Sequence, residues 1–349
     1  MPRPSSRYIE ELAAKWEPRL RDAFLEAIQD LRSVNVGSLT GLIENSDIEG
    51  ALRAVGLDPA AFTPVQLELT RIYNEGGIAA ARTIPPARMV GGYEVQIRFD
   101  VRNPEAERII REQSSTLVQD ITDDQRTTVR SYLQRNLAQG ANPRTAALDL
   151  VGRLDRKSGQ RVGGVIGLHS TQEKWLASYT DDLASTDPVA LRRLLDRGLR
   201  DKRFDSSVLK AIRDGTGIPA DLQARMRLAY ASRALRWRGE NIARTETIRA
   251  LGSAQTQAYE QAIANGLVDQ DSITRYWVTV GDLRVRPDHR LIPGMNKQGR
   301  RWREPFATPK SRHSPTGLSL HAPHDTDIMC RCYERIRINF LASVSRRAA

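Results

Sequence analysis

Between Gly281 and Cys332 the sequence collects the side chains best suited to hold a metal: four of its five histidines and both of its cysteines fall there. A structural zinc site asks for four sulfur or nitrogen ligands in a tetrahedral array. His289, His324 (with His321 as its alternate), Cys330 and Cys332 supply such a set. Residues i and i+2 of an extended strand face the same side, so both thiols of Cys330-Arg331-Cys332 turn toward one partner, although the pair needs a local bend to close on an ion. The same residues also suit an arrangement without metal: a pocket of Asp282, Arg284 and His289 with Cys330 and Cys332, held by hydrogen bonds and packing. Cysteines one residue apart make no ordinary disulfide. The chain therefore reads as intracellular in origin.

A hydrolytic use of the stretch is the rival. In metal-dependent nucleases of the His-Asn-His type a histidine activates water while a metal stabilises the scissile phosphate, and Asp282 and His289 have the chemistry of ligand and general base. That type needs a ββα unit around the metal. Here a long loop punctuated by Pro293, Pro305, Pro309 and Pro315 separates His289 from His324. The expectation is a non-enzymatic clasp.

Positioning this stretch requires strands on both sides of it. Arg275 to Val280 is aromatic and β-branched, reads as a strand and delivers the chain into Asp282. Tyr333 to Phe340 reads as the closing strand, with Ile336, Ile338 and Phe340 on one face and Arg335, Arg337 and Asn339 on the other. Before them a helix over Asn241–Ala264 ends at Asn265-Gly266, both tolerant of left-handed backbone. Arg244 shares its Ile248 face while Glu246 points elsewhere, so one of these charges must look toward another element.

The remainder is expected to be mostly α. Apolar residues three or four apart predict a helix over Tyr8–Leu31 with a kink at Pro18. Thr63-Pro64-Val65-Gln66 starts a second helix that ends near Gly76-Gly77. Asn103-Pro104, Asn142-Pro143 and Asp187-Pro188 are further starts, and Thr122 with Gln125 forms another capping box. Gly91 to Phe99 alternates like one short strand. Gly159 to Gly167 lacks the Lys-Ser/Thr ending of a phosphate-binding loop and is expected to be a flexible connection. The predicted architecture is an elongated helical amino-terminal part and a small carboxy-terminal α+β domain, divided as 1–90, 91–268 and 269–349.

Charge is uneven along the 349 residues. From Gly281 onward there are 14 Lys and Arg against 6 Asp and Glu, which leaves only 3 of the formal +11 to the first 280 residues. Such a surface favours a polyanion through phosphate neutralisation and counterion release. The residues that would touch DNA phosphates without reading sequence are Arg284, Arg286, Arg290, Arg300, Arg301, Arg303, Lys310, Arg312, Arg335 and Arg337. Charges interrupt every apolar run short of the roughly 20 residues of a membrane-spanning helix, so no membrane is expected as a stable partner. Trp16 and Phe24 serve either as partner anchors on an amphipathic helix or as core.

One set of features carries a resemblance. An Ala-Arg-Thr-Glu helix (Ala243 to Glu246) is followed by a Trp-x-x-x-x-Asp-x-Arg-x-Arg-x-x-His run from Trp277 to His289, then Gly294, then a His-containing segment entering Cys330-Arg331-Cys332. In order and spacing these resemble the phage Mu F-type head morphogenesis family, the minor head or minor capsid proteins. The similarity covers about residues 235 to 340, is one of layout alone from about 95 to 235, and does not reach residues 1 to 90. It implies a virion component present in few copies in the head interior near the portal, made in the host cytoplasm. It also implies association with portal protein or major capsid protein, participation in head assembly and DNA packaging or delivery, and contact with genomic DNA. Arg244, Thr245, Glu246, Trp277, Asp282, Arg284, His289 and Gly294 are then the structural residues of the motif. Many relatives carry a Cys-x-x-Cys pair shortly after the motif's Asp, where this chain has Val285-Arg286-Pro287-Asp288 and then His289. His289 is thereby the one early ligand candidate for a zinc.

Overall fold

Capping chemistry sets most of the helix starts in the structure, a computed structural model that describes residues 8–88, 92–281, 285–309 and 329–339. Helix α1 (Tyr8–Leu31) has the predicted limits and continues through Pro18. Asn35 and Asp47 cap α2 (Val36–Glu44) and α3 (Ile48–Val55) by accepting the N–H of Ser38 and Gly50. Helix α4 (Thr63–Thr83) is followed by a two-residue ribbon, β1 (Ala87–Arg88) antiparallel to β2 (Glu94–Val95). Asn103 then accepts from the N–H groups of Glu105 and Ala106 to open α5 (Pro104–Ala138). Asn142 does the same for α6 (Pro143–Val151), which leads into a second ribbon of β3 (Arg153–Leu154) with β4 (Arg161–Val162). His169 and Gln172 form a capping box for α7 (Ser170–Ala184), and Asp187 caps α8 (Pro188–Asp196). After α9 (Asp205–Asp214) comes α10 (Ala220–Ala264), which Gly266 ends at φ +67°. The chain closes with β5 (Ile273–Val278), α11 (Pro287–Met295), β6 (Arg300–Arg301) and β7 (Tyr333–Ile338). The fold is mostly α with a small carboxy-terminal α+β region. Among the described residues, no helix is long and apolar enough to cross a membrane.

Three local expectations fail, each because a distant partner overrides a local signal. Gly76 and Gly77 do not end α4; they lie buried inside it, where a Cβ on Gly76 would come within 2.8 Å of Leu251 and one on Gly77 would overlap the Phe99 ring. The pair permits close packing. Thr122 and Gln125 sit within α5 and start no helix: Thr122 returns its hydroxyl to the Val118 carbonyl, while Gln125 accepts from Gly167 N–H and donates to Leu168 C=O, both at 2.6 Å. The glycine-rich stretch is a packed turn and not a loose connection, because Val165, Ile166 and Leu168 are fully buried. Arg32 Nε donates to the Ile166 carbonyl at 3.1 Å and Arg238 to that of Gly167 at 3.1 Å, so the turn's backbone is held at several points.

The chain forms two compact units, and each is discontinuous in sequence. One comprises residues 1–21, 65–116 and 240–349; the other comprises 22–64 and 117–239. The consecutive segments 1–90, 91–268 and 269–349 do not coincide with these units, because α1, α5 and α10 each supply residues to both. In the second unit Phe24 stacks on Phe62 with ring centroids 6.4 Å apart, and Tyr179 on Tyr230 at 4.3 Å. In the first, Trp16 donates its indole N–H to Glu75 at 2.6 Å. Trp16 and Phe24 are core residues, not exposed anchors.

The three-stranded antiparallel sheet of the first unit has the order β6-β5-β7. Alternation along β5 buries Ile273, Arg275 and Trp277 on one face and leaves Thr274, Tyr276 and Val278 half-exposed on the other. The register sets Arg275 against Ile336 and Trp277 against Glu334 on β7, and Thr274 against Arg301 on β6.

Candidate metal centre

His289, Cys330 and Cys332 meet in the interior of the first unit, all three buried, with their ligand atoms within 4.8 Å of one another. Pro287 occupies the first turn of α11, where its missing N–H costs nothing, and the helix then turns His289 inward. The imidazole stands edge-on to the Trp277 ring at 5.4 Å, and the same indole meets Phe306 at 5.5 Å. Val285, Ile292 and Phe306 complete an apolar cluster around Trp277 and both thiols. Water is thus kept from the group, and the cluster fixes the ring's orientation.

The polar geometry inside this shell is tight. His289 Nδ1 lies 3.1 Å from Cys330 Sγ, and the Cys332 backbone N–H points at that sulfur from 3.4 Å. Hydrogen bonding with the Cys332 side chain above all, then with His289, holds the Cys330 thiol well below its usual range against the opposing effect of burial. The residue is thereby disposed to the thiolate form that binds metals. Tetrahedral zinc with sulfur at about 2.3 Å and nitrogen at about 2.0 Å separates its ligand atoms by roughly 3.5 Å. The observed cluster brackets that separation, so these residues could hold a metal ion, with the donor softness zinc favours.

Just before the cysteines the backbone turns at Met329, whose φ is +64° although it is not glycine. Left-handed backbone costs such a residue about 1–2 kcal/mol. Its N–H donates to Thr245 Oγ1 on α10 at 3.0 Å, which helps hold the bend. From there Cys330 and Cys332 point inward, and Arg331 points the other way to pair with Glu17 through Nε at 3.0 Å. Tyr333 donates to Glu10 at 2.9 Å, so two contacts bind this segment to α1.

Of the other residues singled out by sequence, Arg244, Thr245 and Glu246 are all buried. Glu246 reaches another element, accepting from Gln113 of α5 at 3.2 Å, and it also closes a local ion pair with Arg249 at 2.9 Å. Gly294 is exposed on α11 with open space where a Cβ would lie. His321, His324, Asp282, Arg284, Lys310 and Arg312 lie outside the described residues. The remaining basic residues divide. Arg303 is paired with Glu260 at 2.8 Å, Arg300 donates to Asn296 at 2.7 Å and Arg290 to the Val285 carbonyl at 3.1 Å, while Arg286 is half-buried at the start of α11. Arg301, Arg335 and Arg337 belong to the sheet.

Sequence reading passed over a pair central to the site's support. Arg275 is buried on the inward face of the sheet and donates to both carboxylate oxygens of Glu334 at 3.0 Å. It also donates to the carbonyls of Arg301, at 3.3 Å, and Glu304, and its guanidinium lies over Phe306 at 5.0 Å. The available signal was the alternation Ile273-Arg275-Trp277, which sets an arginine on an otherwise apolar face. Comparison of the chain with protein-family models, with curated proteins and with solved structures finds no match in any of the three.

Proposed function

We propose that the chain is a minor head protein of a tailed phage, an assembly component of the head-morphogenesis kind that its motif residues resemble. On this reading it is not an enzyme; it joins portal or capsid subunits inside the head and takes part in packaging or delivery of DNA. The observation that carries the reading is the convergence of motif parts far apart in sequence. Thr245 accepts the Met329 N–H across 84 residues, and Trp277 packs on His289, which in turn meets Cys330. A motif whose parts meet in one buried clasp acts as a structural unit. Burial of His289 at 1% exposure, with Nδ1 against a sulfur, favours that role over general-base work on a DNA substrate.

The test is co-expression with the portal subunit encoded in the same genome, followed by affinity capture of a tagged copy and mass spectrometry of purified heads. Portal protein in the eluate and the chain in the heads are expected. A chain that elutes alone and is missing from heads overturns the reading.

The ion we assign to the clasp is zinc, in a structural role. His289, Cys330 and Cys332 would hold it, and bound zinc supplies a cross-link between α11 and the chain entering β7. A tetrahedral ion asks for one further ligand, and His324→Ala tests the residue that the sequence nominates. One zinc per chain by elemental analysis, reduced in Cys332→Ser, is expected. Protein that remains free of zinc after purification without chelator and incubation with zinc salt refutes the assignment, leaving a clasp held by hydrogen bonds and packing.

A further inference from the structure

Arginines in the first unit fall into two groups. Arg275 is matched by Glu334, Arg303 by Glu260 and Arg331 by Glu17, each in an ion pair. On the outward face of the sheet the pattern breaks. Arg335 and Arg337, two residues apart on β7, both place their guanidinium carbons over the single ring of Tyr276, at 5.4 and 5.3 Å. Among the described residues no carboxylate pairs with either. Arg301 stands across β5 from Arg337, since both are register partners of Thr274, and it makes only a long, exposed ion pair with Glu304 at 4.0 Å. Gly299, with φ +76°, lies close under this face: a Cβ there would come within 3.0 Å of the Tyr276 ring. The ring is thus seated by backbone below and by two cations beside it.

Two like charges drawn to one aromatic ring gain cation–π attraction but repel each other. An anion bridging them removes that repulsion, and guanidinium groups match phosphate oxygens in a planar, bidentate fork. With both guanidiniums over the Tyr276 ring, the tyrosine holds the arginines and is not offered to a stacked base. The geometry points to the outward face of the sheet, Arg301, Arg335 and Arg337 around Tyr276, as a docking surface for the phosphate backbone of double-stranded DNA, indifferent to sequence. The inference deepens the proposed function by naming the face through which a head protein would touch the genome, and it rests on that reading for the identity of the polyanion.

The experiment measures binding of a fluorescent random-sequence duplex to the full chain by anisotropy between 50 and 200 mM salt. A variant carrying Arg301→Gln, Arg335→Gln and Arg337→Gln is compared with one carrying Arg53→Gln, Arg111→Gln and Arg213→Gln, which removes the same charge from exposed helix positions. Each lost phosphate contact lowers the slope of log K against log salt by about 0.9, so the sheet variant should lose about 2.7, and the wild type's drop in affinity over this range should exceed the variant's by about 40-fold. The control variant should keep the wild-type slope. Melting curves verify folding; if the triple variant is unfolded, Arg337→Gln alone, at the most exposed of the positions on β7, should lower the slope by about 0.9. No DNA binding by the wild type, or an unchanged slope in the sheet variant, overturns the inference. Loss of portal capture with DNA binding intact also overturns it, assigning the face to a protein partner. A chain that enters heads yet fails to bind DNA defeats only this inference, whereas one that binds DNA through this face and never enters heads defeats the proposed function.

Discussion

Replacing Arg275 by methionine should be among the most damaging single changes in the first unit. It strips a buried carboxylate of a partner held at 3.0 Å through both oxygens, and two carbonyls on the β6 side of a donor. Removing one member of a buried pair costs about 3–5 kcal/mol, because the other charge stays in the interior unpaired. Against total stabilities of about 5–15 kcal/mol, that is a large fraction. Glu334→Leu in the native background strands the guanidinium instead and should cost a comparable amount. The double variant removes both charges, so it should be more stable than either single variant and fall short of the wild type by the cost of the two carbonyls left without a donor, about 1–3 kcal/mol for each that stays buried. Acidity gives a second readout. Burial raises the Glu334 carboxyl above the ordinary range, with Arg275 opposing the rise. Without Arg275 it rises further. An acid whose folded pKa exceeds its unfolded one contributes stability that is present at low pH and lost as pH climbs through the folded value. The deficit of Arg275→Met relative to wild type should therefore shrink between pH 7 and pH 5. Urea unfolding followed by intrinsic fluorescence reports it, since Trp277 and Trp302 both lie in this unit. A double variant as unstable as the two single losses added together would refute the account.

Other changes test separate parts of the fold. Gly77→Ala, ordinarily favourable by up to about 1 kcal/mol inside a helix, should instead destabilise by about 1–3 kcal/mol because the new methyl overlaps the Phe99 ring, as thermal melting would reveal. Gln125→Ala should cost about 2–4 kcal/mol by leaving the N–H of Gly167 and the carbonyl of Leu168 unsatisfied in the interior; hydrogen exchange at Gly167 should accelerate with it. Asn142→Ala should cost only about 1 kcal/mol, a cap bond and nothing more, measured by the same melts. If zinc occupies the clasp, a chelator should lower the melting temperature of the wild type and leave that of Cys332→Ser unchanged.

The helix starts at Asn103, Asn142 and Asp187 were legible because a cap and the proline after it act within three residues. Gly76-Gly77 carried the same composition as a stop signal, and only Leu251 and Phe99, brought close by the fold, give the pair its other meaning. Thr122 and Gln125 likewise spell a capping box, but the partners of Gln125 lie more than 40 residues away. At the site, residue type and the period of a strand sufficed to bring Cys330 and Cys332 to one side with His289. The Thr245–Met329 bond, the pairing of Arg275 with Glu334 and the placing of Arg335 and Arg337 over Tyr276 depend on register and on which face is buried. Local composition specifies neither.

The discontinuity of the two units imposes an order on synthesis. Residues 22–64 and 117–239 are complete once residue 239 has left the ribosome, whereas the contacts of Glu10 and Glu17 with Tyr333 and Arg331 wait for another ~90 residues, roughly 5 to 20 seconds of translation. For the later part of that interval β5 has been made and β7 has not, and the aromatic and β-branched edge that β7 will cover is exposed to whatever strand it meets. A nascent chain of this design gains more from a chaperone that covers this edge than does a protein whose domains follow one another along the sequence.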